Sequence, residues 1–319
     1  MNNNQKGIAL LTVLWVLTVL MVIVFSFSYM ARTETLSTLS FKEGMEKRFL
    51  AEAGVQRGIL ELFYRKENIN KVLTEDLMVW TIDGRPYYGQ VGDGKFSVKI
   101  LDESGKLDIN AAPELLLRNL LGTLGIEGTT RDTIIDSIQD WRDKDDLHRL
   151  NGAESDYYLS LPNPYKAKNG DFETLEELLQ VKGVTREILY GEGNKKGLIH
   201  FLTVFGTGKI NINAAPREVL MAIPGMTAEM VGEILSYREK QEIKIIQEVG
   251  GSVVVNQALM TPYITTAQGN VFTIESSGYK EKPQSGYAIR TTVNLLNNKQ
   301  YKILYYKTPV TLKQDENAS

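Results

Sequence analysis

From Ile8 to Phe27 the chain is apolar except at Thr12, Thr18 and Ser26, and it carries no charge there. A helix rises about 1.5 Å per residue, so this run matches the roughly 30 Å of a bilayer's hydrocarbon core. It reads as a membrane segment. Beyond it, residues 31–66 are rich in charged and helix-forming types, and no proline occurs before Pro86. Met45, Phe49, Ala53, Leu60 and Phe63 recur at helical steps, which predicts one apolar face. The expectation is a single helix over 8–66, membrane-buried first (8–27) and amphipathic later.

Turn signals at Asp83-Gly84-Arg85-Pro86 and Gly92-Asp93-Gly94 mark a connecting stretch at 67–95. Phe96, Val98 and Ile100 then alternate with polar residues as a half-buried strand. An internal echo follows: Gly105-Lys106-Leu107-Asp108-Ile109-Asn110-Ala111-Ala112-Pro113 returns 103 positions later as Gly208-Lys209-Ile210-Asn211-Ile212-Asn213-Ala214-Ala215-Pro216. Each copy predicts a short strand, an asparagine N-cap and a helix with proline in its first turn. Apolar spacing predicts helices near 115–124 and 134–141, and Thr174-x-x-Glu177 reads as a capping box. Strands are predicted at 253–255, 271–276, 288–294 and 301–306, and a polar, flexible tail at 313–319. The fold class is α+β: a long pilin-like N-terminal helix packed on a small antiparallel sheet, with a large, mostly helical domain inserted.

Composition narrows the function. The 319 residues are enough for about two domains. A net charge of −3, from 36 basic and 39 acidic residues, argues against a protein built to neutralise phosphates. Cysteine is absent, which removes thiol nucleophiles, disulfides and zinc–thiolate sites. The two histidines, His148 and His200, stand far apart with no serine motif beside either, and there is no Walker loop. Nothing points to catalysis.

Three features carry candidate chemistry. Lys6-Gly7 directly before the apolar run reads as a prepilin-type junction, as the flank of a plain anchor, or as part of a signal peptide; the run is longer than an ordinary signal core. Leu179-Gln180-Val181-Lys182-Gly183-Val184-Thr185 and Ala222-Ile223-Pro224-Gly225-Met226-Thr227 resemble helix–hairpin–helix turns. They serve either as packing turns or as phosphate cradles. The third feature is an acidic loop, with Asp140, Asp143, Asp145, Asp146, Glu154 and Asp156 in 17 residues and an Asn151-Gly152 turn folding its halves together. Calcium takes six to eight oxygens from such loops. Asp143, Asp145 and Glu154 occupy EF-hand positions 1, 3 and 12, but Leu147 and His148 stand at 5 and 6, so it is not an EF-hand. Arg142, Lys144 and Arg149 could instead neutralise the cluster as surface pairs.

Together these residues resemble the K-type minor pseudopilins of type II secretion, the general secretion pathway protein K family. The resemblance is carried by Lys6-Gly7-Ile8-Ala9-Leu10-Leu11-Thr12-Val13-Leu14-Trp15, Ala51-Glu52-Ala53-Gly54, Gly105 to Pro113, Asp140-Trp141-Arg142-Asp143, Gly152-Ala153-Glu154 and Asn211 to Pro216. Major pilins have a glutamate at the fifth position after the cut; this chain has Thr12 there and so lacks that glutamate, as the K-type family characteristically does. A tip subunit has no neighbour ahead of it to pair with such a carboxylate.

The resemblance implies a non-enzymatic subunit that caps the pseudopilus tip and primes its assembly, for export of folded periplasmic proteins across the outer membrane. Prepilin peptidase would cut after Gly7 and methylate Ile8. The helix would cross the inner membrane once, with the globular part in the periplasm. Implied partners are the I-type and J-type minor pseudopilins, the major pseudopilin, the inner-membrane assembly platform and the membrane itself, with no nucleic acid. Implied too is structural Ca2+ held by Asp143, Asp145, Glu154 and Asp156, with Asp140 and Asp146 as further candidates. The expected divisions are a leader at 1–7, the pilin helix at 8–66, a first α+β part at 67–107, an inserted helical domain at 108–205, and the second repeat with the C-terminal strands at 206–312. Rival readings are a membrane-anchored, periplasmic DNA-binding protein of the competence type and a minor pilin of a type IV pilus.

Overall fold

The structure is a computed structural model and describes residues 4–68, 79–206, 208–282, 285–297 and 299–310, with side chains from Leu10 onward. The first residues of the expected leader, part of the connecting stretch and the expected tail lie outside the described residues. So does the side chain of Ile8.

Helix α1 (Asn4–Asn68) runs unbroken for 65 residues, about 100 Å. Residues 10–43 are exposed throughout, and this part is long and apolar enough to cross a membrane. The remainder lies on a five-stranded antiparallel sheet ordered β1 (Tyr87–Val91), β2 (Gly94–Asp102), β7 (Val271–Tyr279), β8 (Tyr287–Leu295) and β9 (Tyr301–Lys307).

The helix buries a different face from the one expected. Phe49 and Leu60 are exposed, while Ala51, Val55, Ile59 and Leu62 are buried against Val98, Ile100, Phe272 and Ile274, and Leu50 is buried beside Gly94 and Gly278. Gly54 and Gly58 sit in the buried stripe. A Cβ at Gly54 would strike Ser276 and Phe96, and one at Gly58 would press on Ile274. Across the interface, a Cβ at Gly278 would strike the backbone of Lys47 and Ala51. The seam is chosen by how closely helix and sheet approach at these glycines.

Between β2 and β7 the chain builds a second body. Its elements are β3 (Leu107–Asp108), α2 (Glu114–Thr123), α3 (Gly128–Arg142), α4 (Ser155–Leu159), α5 (Arg186–Tyr190), β4 (Leu202–Thr203), β5 (Ile210–Asn211), α6 (Arg217–Ala222), α7 (Ala228–Arg238), α8 (Gly251–Val255), α9 (Gln257–Met260) and β6 (Ile264–Thr265). One apolar cluster runs from Leu107 to Met260, so the division expected at 205/206 falls within a continuous core. The strand expected at 253–255 is helix α8, with Val253 fully buried. Here tertiary packing overrides the strand preference of a valine run.

The sequence echo is a structural duplication. β3 pairs with β4 and β5 with β6, both in parallel. Proline, not asparagine, is the N-cap: α2 starts after Pro113 and α6 after Pro216. The asparagines instead tie each turn to a segment distant in the chain. Asn110 exchanges two hydrogen bonds with the backbone of Phe172 (3.0 and 2.8 Å), and Asn213 does the same with Ile243 (2.9 and 2.8 Å). Arg142 donates to the carbonyls of Ile109 and Ala112 (2.6 and 3.0 Å), and Arg238 to those of Ile212 and Ala215 (3.1 and 2.7 Å). Each turn's buried carbonyls thereby gain charged donors.

The two bodies meet around a cavity of about 100 Å³ lined by Glu103, Lys106, His200, Thr273, Arg290 and Tyr305, among others. Burial raises the Glu103 carboxyl, but the Lys106 ammonium outweighs it, with hydrogen bonds from Lys106, Thr203 and Thr273, and holds it below the usual range. Burial, with the Arg290 guanidinium nearby, pushes the His200 imidazole down to about 4.

Two outcomes are expected. Gly278→Ala should lower stability by about 1–3 kcal/mol, because the methyl group meets backbone that cannot yield; chemical denaturation followed by circular dichroism would measure it. An imidazole held neutral contributes fully above its ordinary pKa near 6.5 and loses that contribution as pH falls toward about 4. Wild-type melting temperature should therefore drop between pH 6.5 and 4.5, and His200→Gln should flatten that part of the profile.

Candidate functional site

The acidic loop begins where α3 ends. In Asp140-Trp141-Arg142-Asp143, successive side chains point to different tasks. Trp141 enters the core and meets Tyr158 edge-on, with ring centroids 5.3 Å apart. Arg142 clamps the 109–112 turn. Asp140 and Asp143 turn toward Glu154, the residue that precedes α4. One carboxylate oxygen from each of Asp140, Asp143 and Glu154 lies within 4.8 Å of the others.

The loop is pinned independently of these three groups. Asp136, one turn before Asp140, accepts from the amide and the side chain of Asn151 (both 3.0 Å). Lys182 donates to the carbonyl of Gly152 (2.9 Å) while lying 4.9 Å from the centre of the Tyr157 ring. Gly152 is required because a Cβ there would strike the Asp140 carboxylate. Outside the loop, the Arg142 and Asn110 clamps hold both ends of the 143–171 segment to one turn.

Electrostatically the cluster is one of unmatched negative charge. Asp140 is fully buried and Glu154 is 1% exposed. Both Glu154 oxygens and Oδ1 of Asp143 are buried without a hydrogen-bond partner. Burial, reinforced by the carboxylates of Asp140, Asp143 and Asp146, pushes the Glu154 carboxyl up to about 7. Arg149 is the one cation bonded to the cluster among the described residues; its Nη1 donates to Asp140 Oδ1 (2.6 Å) and Asp143 Oδ2 (2.5 Å). Such groups suit a hard cation. Calcium holds oxygens at roughly 2.3–2.6 Å, which places oxygens on its opposite sides about 5 Å apart.

The structure thus brings Asp143 and Glu154 together with Asp140, one of the two further candidates. Asp145 and Asp156 point elsewhere. Asp145 accepts from the Leu147 amide (2.9 Å), and Asp156, largely exposed, pairs with His148 (2.8 Å). Asp146 is exposed and meets Asn169 at 3.3 Å. Asp136 and Lys182, which shape the loop, were not singled out by sequence. The spacing of Asp136 and Asp140, one helical turn apart, was the available signal for the first; Lys182 comes from a distant segment and had none.

Each hairpin glycine is seated on another helix. Gly183 (φ +87°) faces Thr133 and Ile134 of α3, and Gly225 (φ +82°) faces Leu259 of α9. The turns therefore pack the helical body.

Comparison with known proteins supplies the family context. Residues 94–190 match the family model described as type II secretion system (T2SS), protein K. The chain is 27% identical over 201 residues to the type II secretion system protein K of Pectobacterium carotovorum subsp. carotovorum, covering 59% of this chain and 61% of that protein. It is 28% identical over 247 residues to the protein K of Aeromonas hydrophila, covering 72% and 73%. The match thus spans less than two thirds of the Pectobacterium relative. Its fold resembles a chain in the crystal structure of the GspK–GspI–GspJ complex from the enterotoxigenic Escherichia coli type 2 secretion system, with a TM-score of 0.59 at 17% identity over 86% of this chain and all of that one.

Without a cation, the buried charge of Glu154 weakens the loop. A rise from 4.5 to about 7 corresponds to at most on the order of 3 kcal/mol at pH 8. In chelator at that pH, Glu154→Gln should raise the unfolding midpoint, because it keeps the shape and removes the charge; an unchanged or lower midpoint would contradict this account.

Proposed function

We propose that the chain, similar at 94–190 to protein K of type II secretion systems, acts as a minor pseudopilin at the tip of the pseudopilus. In this role it primes assembly and supports export of folded proteins across the outer membrane. The observation that carries the reading is the joint one of a K-family match at 94–190 and α1, whose exposed apolar part continues without a break into a helix packed on a sheet. Such a helix serves as a membrane anchor before assembly and as a filament stem afterward. The role is structural and not enzymatic. Prepilin peptidase cleaves after Gly7, exposing Ile8 for methylation, and the globular part faces the periplasm. The partners are the I-type and J-type minor pseudopilins, as in the complex containing the similar chain. The major pseudopilin and the inner-membrane assembly platform follow as partners during filament growth.

The cofactor in this reading is calcium, with Asp140, Asp143 and Glu154 as its side-chain ligands. It supplies the positive charge that the orphaned oxygens of Glu154 and Asp143 lack. Asp145 and Asp156 reach it only if their loop segments turn inward from the arrangement seen here.

The test is extraction of the full chain from cells holding the cognate system, with and without prepilin peptidase. Intact mass should show a chain beginning at methylated Ile8 only when the peptidase is present, and the I- and J-type proteins should co-purify with it. An unprocessed chain in the presence of active peptidase, or one that binds neither partner, would overturn the reading.

A further inference from the structure

The cluster already contains a cation supplied by the chain. Arg149 Nη1 lies 2.6 Å from Asp140 Oδ1 and 2.5 Å from Asp143 Oδ2. These are two of the three groups whose oxygens converge within 4.8 Å. One nitrogen makes both contacts, in place of the two-pronged fork by which arginine grips a carboxylate most firmly. The third carboxylate, Glu154, is buried with neither oxygen hydrogen-bonded. A single guanidinium therefore neutralises this site incompletely.

Arg149 is also placed to leave. Its side chain is 40% exposed, and its neighbours Leu147 and Leu150 are exposed too. Its backbone is held apart from the side chain, the amide donating to Asp140 Oδ2 (3.3 Å) and the carbonyl accepting from Gly152 (3.1 Å), while Asp136 holds Asn151 and Lys182 holds Gly152. Arg142 is the contrast within the same segment. Its guanidinium is spent on backbone carbonyls and on Gln139, and its removal would undo the turn.

We propose that Arg149 is a tethered cation that occupies the Asp140–Asp143–Glu154 cluster in the metal-free chain and is displaced when calcium enters, so that this side chain sets the affinity of the site. The proposal rests on the reading of the cluster as a calcium site. It makes Arg149 a competitor, and competition has a signature that ordinary structural support lacks. Losing a competitor weakens the metal-free fold and strengthens metal binding, because three carboxylates are left unopposed until calcium arrives. Losing a structural support weakens both.

The experiment uses the full chain in detergent, titrated with calcium chloride by calorimetry, with melting temperature measured in chelator. Arg149→Gln is expected to bind calcium about tenfold more tightly than the wild type while melting several degrees lower without it. Arg149→Lys keeps the charge and should fall between the two. Wild-type binding with equal or weaker affinity in Arg149→Gln would overturn the role of Arg149 and leave the calcium site standing. Absence of binding by wild type and variant alike would overturn the calcium site, and the proposal with it. If Arg149→Gln does not fold in chelator, Arg149→Lys decides: tighter binding than the wild type supports competition, and unchanged or weaker binding refutes it.

Discussion

Helix α1 touches the sheet through glycines. Gly54 and Gly58 on the helix make room for the side chains of Phe96, Val98, Ile274 and Ser276, and Gly278 on β7 lets the sheet meet the helix backbone at Lys47 and Ala51. Residues 10–43 project clear of the globular bodies, so the packing of residues 44–68 fixes their direction relative to them. The remaining contacts follow from it. Leu50, Val55, Ile59 and Leu62 pack only because the helix lies that close, and Phe49 and Leu60 are left outside for the same reason.

The helical body solves a different problem with one device used twice. A short strand turns at an Asn-Ala-Ala-Pro sequence, two helices follow, and an arginine at the end of the second returns to cap the turn's carbonyls. In the second copy the chain passes from Arg238 to Ile243 almost directly. In the first, about thirty residues intervene between Arg142 and Phe172, and they carry the acidic loop. The loop is an insertion at a point where both ends are already fixed. That arrangement lets it hold mutually repelling carboxylates without loosening the turn, since the Arg142 and Asn110 clamps do not involve Glu154; the repulsion lowers stability instead. A bound cation would then order the loop while leaving the body that carries it unchanged.

The sequence by itself determined the features that depend on local pattern: the unbroken apolar helix, the strands of the sheet at 271–276, 288–294 and 301–306, the duplicated turn, and the crowding of carboxylates between Asp140 and Asp156. Each follows from periodicity, composition or near neighbours along the chain. The tertiary structure decided which face of α1 is buried, because Ala51, Val55, Ile59 and Leu62 recur at helical spacing as the expected set does, and the close approach at Gly54 and Gly58 favours the first. It made 253–255 helical, because burial of Val253 outweighs the preference of its own side chain. It released the asparagines from capping, because Phe172 and Ile243 offer them backbone partners from far along the chain. It also drew Asp140, Asp143 and Glu154 together while leaving Asp145 and Asp156 outside, since the direction of a loop carboxylate is set by anchors such as Asp136 and Lys182 and not by spacing along the loop.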